Sequence, residues 1–163
     1  MAIALTPFKA FCGFLPPREI AKFLDVVPEL ASIVPPSTSE YLHGAISANQ
    51  QPSPPSPTDP IKGAIRQIFG TLMKAPAQIV QDTIRLIVRR YDSGGATPEE
   101  HPIKDLLVTL NNQFPGDVGI LCIFLLNIVS LEPGQAIFLQ ANEPHAYLHG
   151  GTCFHLTCHS FLS

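Results

Sequence analysis

Residues 130–150, SLEPGQAIFLQANEPHAYLHG, decide how the rest of the chain is read. A strand runs up to Glu132-Pro133-Gly134 and turns there. Proline presets φ at the first central position of a turn, and glycine tolerates positive φ at the next. The spacing predicts a hairpin corner at Pro133-Gly134, then an apolar strand over Ala136, Ile137, Phe138 and Leu139. A second break, Gln140 to Pro144, leads into His145-Ala146-Tyr147-Leu148. One imidazole thus stands at the start of a strand, behind a proline that stiffens its approach. Such placement suits a metal ligand. An end-of-strand histidine bonded to a backbone carbonyl has the same local sequence, and on spacing alone that is the default.

The chain has 163 residues, enough for one domain or parts of two, with a sizeable core. Apolar residues make up 45% and charged residues only 14%, a low charge that fits apolar faces awaiting a partner segment. The net charge is -3 and there is no basic tract, so nothing points to nucleic acid or an anionic membrane surface. The opening MAIALTPFKAFCGF lacks a positive leader region and is interrupted by Pro7 and Lys9. No run approaches the roughly 20 apolar residues that span a bilayer. Cys12, Cys122, Cys153 and Cys158 are too scattered for a disulfide framework, and a reducing cytoplasm is the simplest compartment.

The order along the chain is strand, helices, strands. Met1 to Thr6 is a short apolar run ended by Thr6-Pro7, compatible with a buried strand. Pro16-Pro17 opens a helix with Ile20, Phe23, Leu24 and Val27 on one face, and Pro28 ends it before a short apolar turn to Val34. Residues 48–58 are Pro/Ser/Gln-rich, too polar to bury much surface, and read as a flexible surface insertion. Three further helices follow. Asp59-Pro60 supplies an N-cap and a first-turn proline for the stripe Ile61, Ala64, Ile65, Ile68, Phe69, Leu72 and Met73. Pro76 restarts the pattern with Val80, Ile84, Ile87, Val88 and Tyr91, and Gly94-Gly95 stops it. Thr97 to Glu100 is a capping box for Ile103, Leu106, Leu107, Leu110 and Phe114. These stripes are read as core packing. Val118 to Leu131 is too long for one strand, which predicts a short helix or turn near 119–125 and a strand from about Leu126.

LEPGQAIFLQANEPHAYLHG also resembles the metal-site segment of type I phosphomannose isomerases, cupin-fold zinc enzymes that interconvert mannose 6-phosphate and fructose 6-phosphate. MAIALTPFKAFCGFLPPREI, at the start, is similar to the family stretch that follows a metal-binding Glu, and FPGDVGILCIFLLNIVSLEPG resembles the approach to the PHAY strand. The segments occur in family order and cover nearly all of residues 1–150. The resemblance implies an α+β fold: a helical insertion domain flanked by strands of an incomplete cupin (jelly-roll) barrel. Residues 1–15 would be a barrel strand and its exit, 16–117 the insertion domain, 118–150 the strands carrying PHAY, and 151–163 an atypical tail. It further implies zinc as cofactor, with His145 as a metal ligand and Tyr147 bordering the substrate pocket. Partners would be limited to a phosphosugar, with neither nucleic acid nor membrane, in a cytoplasmic monomer feeding GDP-mannose synthesis.

The family's other metal ligands, a Gln-x-His pair and a Glu, would fall before Met1, and its catalytic arginine beyond the PHAY strand. No residue of this chain is therefore assigned a catalytic role. A truncated or mis-spliced product, inactive by itself, is the expectation. The tail adds Cys153, His155, Cys158 and His159, with His149 nearby, but this spacing matches no zinc-finger or knuckle pattern. Two other readings are a non-catalytic helical interaction module, docking through uncovered stripes, and a general cupin-like metal-binding protein. The MAIALTPF and PHAYL matches argue against the latter.

Overall fold

The computed structural model describes residues 2–48, 59–138, 143–150 and 152–154. The expected insertion at 48–58 lies almost wholly outside the described residues, as does the tail beyond Phe154. The chain divides into two units, Leu15–Leu125 and the pair Met1–Phe14 with Leu126–Ser163.

The first unit is helical: α1 Pro17–Val26, α2 Pro36–Ala48, α3 Pro60–Met73, α4 Ala77–Asp92 and α5 His101–Gln113, with 3₁₀ segments at Pro28–Ser32 and Val118–Phe124. Helix α3 starts as its sequence requires. The Asp59 side chain accepts from the Ile61 N–H at 2.9 Å, and Pro60 occupies a position where no donor is needed. Helix α4 ends in a Schellman motif. Gly94 takes φ 81°, its N–H reaches Tyr91 O at 3.1 Å, and the Gly95 N–H reaches Arg90 O at 2.8 Å. The stripes bury Ile65, Ile68 and Leu72 of α3, Ile84, Ile87 and Tyr91 of α4, and Ile103, Leu107 and Leu110 of α5. Only the far ends of two stripes, Met73 and Phe114, stand in solvent. Helix α2 has no comparable stripe in its Ser/Thr-rich sequence, yet it buries Thr38, Leu42 and Ala45.

Two boundaries differ from those expected. Residues 118–125 belong to the helical unit and not to the strands, with Ile120 to Leu125 all buried and Phe124 edge-on to Phe23 at 5.4 Å. The 3₁₀ segment stands where a short helix or turn was expected, and the strand β3 begins at Leu126. The capping box forms by half. Glu100 accepts from the Thr97 N–H at 2.9 Å, but its own N–H donates to the Thr97 backbone oxygen at 3.0 Å rather than to the hydroxyl, and α5 begins at His101. Arg90 donates twice to Glu29 (2.7 and 2.9 Å) and twice to Glu100 (both 2.7 Å), and the Tyr91 hydroxyl donates to Glu100 at 2.9 Å. This network ties α4 to the 28–32 segment and the entry to α5. Burial alone would push the Glu100 carboxyl up. The Arg90 guanidinium, the Thr97 N–H and the Tyr91 hydroxyl outweigh burial and hold it below the ordinary carboxylate range.

Among the described residues the second unit has six short strands in two antiparallel three-stranded sheets, ordered β4-β1-β6 and β3-β2-β5. Their spans are β1 Ala2–Ala4, β2 Phe8–Phe14, β3 Leu126–Leu131, β4 Ala136–Ile137, β5 His145–His149 and β6 Thr152–Phe154. The exit expected after Pro7 is in fact a seven-residue strand, β2, at the centre of its sheet. The Pro133-Gly134 turn forms, with Gly134 at φ 86° and the Gln135 N–H donating to Glu132 O at 3.0 Å. It is not a hairpin, however, since β3 and β4 belong to different sheets. The chain changes sheet at corners 5–7, 132–135 and Gly150, and once more between β4 and β5. The first two are bonded together, Ala4 N–H to Gln135 O at 2.9 Å and Gly134 N–H to Ala4 O at 2.8 Å. At the third, Gly150 takes φ 99°, where any Cβ would run into the Pro7 carbonyl and Phe8 Cα. Ala4, Phe8 and Ala10 form a small buried cluster with Leu131 against it. Among the described residues the strands do not close into a barrel.

Candidate functional site

Strand β5 carries the residues singled out in the sequence. It pairs with β2 so that Tyr147 faces Ala10 and His145 faces Cys12, with Leu148 bulged out before His149 meets Lys9. Tyr147 packs its ring 5.5 Å from Phe8 and 6.2 Å from His145. The phenol is thus held over the sheet by β2 while remaining 43% exposed. Burial first, and then the neighbouring Cys12, push its pKa up, so it stays a neutral hydrogen-bonding group.

The His145 ring is exposed, and its Nδ1 lies 3.1 Å from the carbonyl oxygen of Glu143. A carbonyl can only accept, so this bond places the proton on Nδ1 and leaves the Nε2 lone pair available. Histidines that bind metals are held in this way by a partner on the second nitrogen. Of the two sequence readings of His145, the bond to a backbone carbonyl is the one seen here.

Around it lie groups that sequence reasoning did not single out. The Gly13 N–H donates to Pro144 O at 2.9 Å, and a Cβ on Gly13 would come within 3.3 Å of Glu143 Oε2. Cys12 is a free, half-buried thiol whose pKa is raised by burial and then by the Glu143 carboxylate. None of these residues has a motif of its own. They gather at β5 through pairing between strands far apart in the chain.

The residues present fit one ligand position and not a whole site. Among the described residues no group of three or more His, Cys, Asp or Glu side chains converges in a way that could hold a metal ion. Of the tail candidates, Cys153 lies in β6 opposite Ile3 and His149 in β5, whereas His155, Cys158 and His159 lie outside the described residues. The helical unit has clefts of its own, one of about 520 Å³ lined by Pro28, Glu29, Leu86 and Arg90 among others. Two of its charged residues, Glu29 and Arg90, are paired with each other, and Arg89 lines it as well. No described helix is long and apolar enough to cross a membrane.

Comparison with known proteins places these observations in a family. Residues 33–126 match the model of the phosphomannose isomerase type I helical insertion domain. The chain is 43% identical over 160 residues to the mannose-6-phosphate isomerase of Cryptococcus neoformans, covering 92% of this chain and 37% of that protein. It is 36% identical to the human mannose-6-phosphate isomerase, covering 97% of this chain and 36% of that one. Among solved structures it resembles a zinc-bound mannose 6-phosphate isomerase, with TM-score 0.61 and 26% identity over 93% of this chain and 32% of the other. The Salmonella typhimurium enzyme bound to its substrate, fructose 6-phosphate, and to zinc matches equally, at TM-score 0.61 and 26% identity. The chain thus spans little more than a third of the length of the relatives it matches. With the PHAY histidine presented on β5 and residues 33–126 matching the insertion-domain model, the chain belongs to the type I phosphomannose isomerase family.

Proposed function

We propose that the whole protein corresponding to this chain is a zinc-dependent aldose-ketose isomerase acting on mannose 6-phosphate and fructose 6-phosphate, a cytoplasmic monomer that supplies GDP-mannose synthesis. Here the two sheets would be part of a cupin (jelly-roll) barrel, and Leu15–Leu125 the helical domain inserted into it. The observation that carries this reading is His145. Within the family's PHAY segment it stands at the start of β5, with Nδ1 bonded to the Glu143 carbonyl and Nε2 free to bind. Both zinc and the phosphosugar are bound by a relative of the same fold.

In the completed site, zinc supplies a Lewis acid for the sugar's carbonyl and hydroxyl oxygens. His145 would hold it through Nε2. Tyr147, tilted toward the His145 ring and backed by Phe8, would border the substrate and offer it a hydroxyl. The base that moves a proton between C1 and C2, and the cation that grips the phosphate, are not assigned to residues of this chain.

The test compares residues 1–163 with a chain extended at both ends by the corresponding segments of the Cryptococcus relative. The extended protein is expected to turn over mannose 6-phosphate. Residues 1–163 alone are expected to show none, since loss of the metal and electrostatic terms removes many powers of ten in rate. Tyr147→Phe in the extended protein should retain zinc while raising KM or lowering kcat. Turnover by residues 1–163 alone would overturn the incomplete-site expectation, and zinc and turnover retained by the extended His145→Ala protein would overturn the ligand assignment.

A further inference from the structure

We propose that Asn127 is a positioning residue for His145, acting through a bulge in β2. The strand register locates the bulge. Phe11 pairs with Ile128 and Phe14 with Leu126, so Cys12 and Gly13 together face the single residue Asn127. A β-bulge leaves ladder groups unpaired and redirects the strand next to it. Here the Asn127 side chain takes up the groups so released. Its Nδ2 donates to Phe14 O at 2.6 Å and lies 3.4 Å from Gly13 O.

The bulge has a second edge, facing β5. Gly13 takes φ 68°, a left-handed conformation that turns its N–H onto the Pro144 carbonyl at 2.9 Å. Pro144 lies between Glu143 and His145, so fixing its carbonyl fixes the peptide on which the imidazole is mounted. The Glu143 carbonyl then meets Nδ1 at 3.1 Å. A continuous chain of contacts therefore runs from an amide on β3, across the C-terminal end of β2, to the tautomer of a histidine on β5. Replacing the amide donor would leave two backbone carbonyls of β2 without this partner and free Gly13 to relax.

The importance of His145 rests on the functional reading above, but its positioning can be tested without any metal. Residues 1–163 would be labelled with ¹⁵N and studied in metal-free, mildly alkaline buffer, the His145 ring signals being those lost in His145→Gln. The wild type is expected to carry its proton on Nδ1, with a slowly exchanging Gly13 amide. Asn127→Asp, of equal size but without the donor, should average the ring between both tautomers. It should also speed Gly13 exchange by roughly tenfold, the equivalent of one hydrogen bond. Asn127→Gln, which keeps the amide, should restore part of both signals.

An unchanged tautomer and Gly13 exchange rate in Asn127→Asp would overturn the proposal. Helix amides of the first unit report folding of each variant. Should the variants fail to fold, the wild type still decides, because a proton on Nε2 or a fast-exchanging Gly13 amide contradicts the proposal by itself. Retention of zinc by an extended His145→Ala protein would sink the functional reading and leave this positioning standing.

Discussion

In the helical unit the network around Arg90 is internal and spoken for. Arg90 is gripped by two carboxylates, and Glu100 is fully buried with every oxygen engaged. In the strand unit the polar chemistry around His145 lies open. Glu143 and His145 are exposed, Tyr147 is partly so, and one nitrogen of His145 is committed while the other is not. The apolar residues divide in the same way, with long stripes buried between helices and, among the described residues of the strands, a small cluster around Phe8 with Phe11 and Leu126 also buried. The contrast separates two uses of ionisable side chains. A group whose bonds are saturated inside a unit contributes to holding that unit together. A histidine fixed on one side and open on the other can accept something from outside.

The largest effect that would break this division is expected at Glu100. Glu100→Ala removes one partner of a buried ion pair and should destabilise the helical unit by about 3–5 kcal/mol in a denaturant titration. A loss below about 1 kcal/mol would mean the network is not structural. The pH dependence has a definite sign. The Glu100 carboxyl is held below its ordinary range in the folded chain, so its contribution is complete above that range and fades as pH falls through the folded value. Acid unfolding should be shallower in Glu100→Gln than in the wild type.

A smaller effect, confined to the other unit, is expected at Gly150. Alanine there must adopt φ 99° and meet the backbone of Pro7 and Phe8, a strain of about 1–3 kcal/mol. Hydrogen exchange should quicken in β5 and the first residues of β2, leaving α3 to α5 unchanged. Equal loss of protection in the helices would show that the two units do not respond separately. Smaller again is Asp59→Ala, which deletes the cap of α3. It should lower stability by about 1 kcal/mol without altering β5, as read by thermal melting beside exchange.

The helical unit was more legible than the strand unit for a physical reason. Helical stripes, first-turn prolines and terminal glycines are local signals, and Asp59-Pro60, Gly94 and the α4 stripe appear where they were read. Helix α2 escaped because Thr38 and Ala45 are not apolar enough to mark a face. In the strand unit the turn at Pro133-Gly134 and the start of β5 at His145 were local as well. Strand β2 was not, because its bulge at Cys12-Gly13 breaks the alternation of FKAFCGF. Sheet membership is less local still. Nothing within residues 130–137 tells that β3 and β4 join different sheets, or that Asn127 lies opposite Gly13. The histidine at the start of β5 was readable from a motif, and its supports were not.

The central claim is that β5 presents a zinc ligand which the helical unit does not need for its own stability. Metal analysis of the extended protein, wild type against His145→Ala, tests it most directly when helical unfolding is recorded on the same samples. The account predicts stoichiometric zinc in the wild type and its loss in His145→Ala, with the unfolding of α1 to α5 unmoved. Stoichiometric zinc retained after His145→Ala would contradict it.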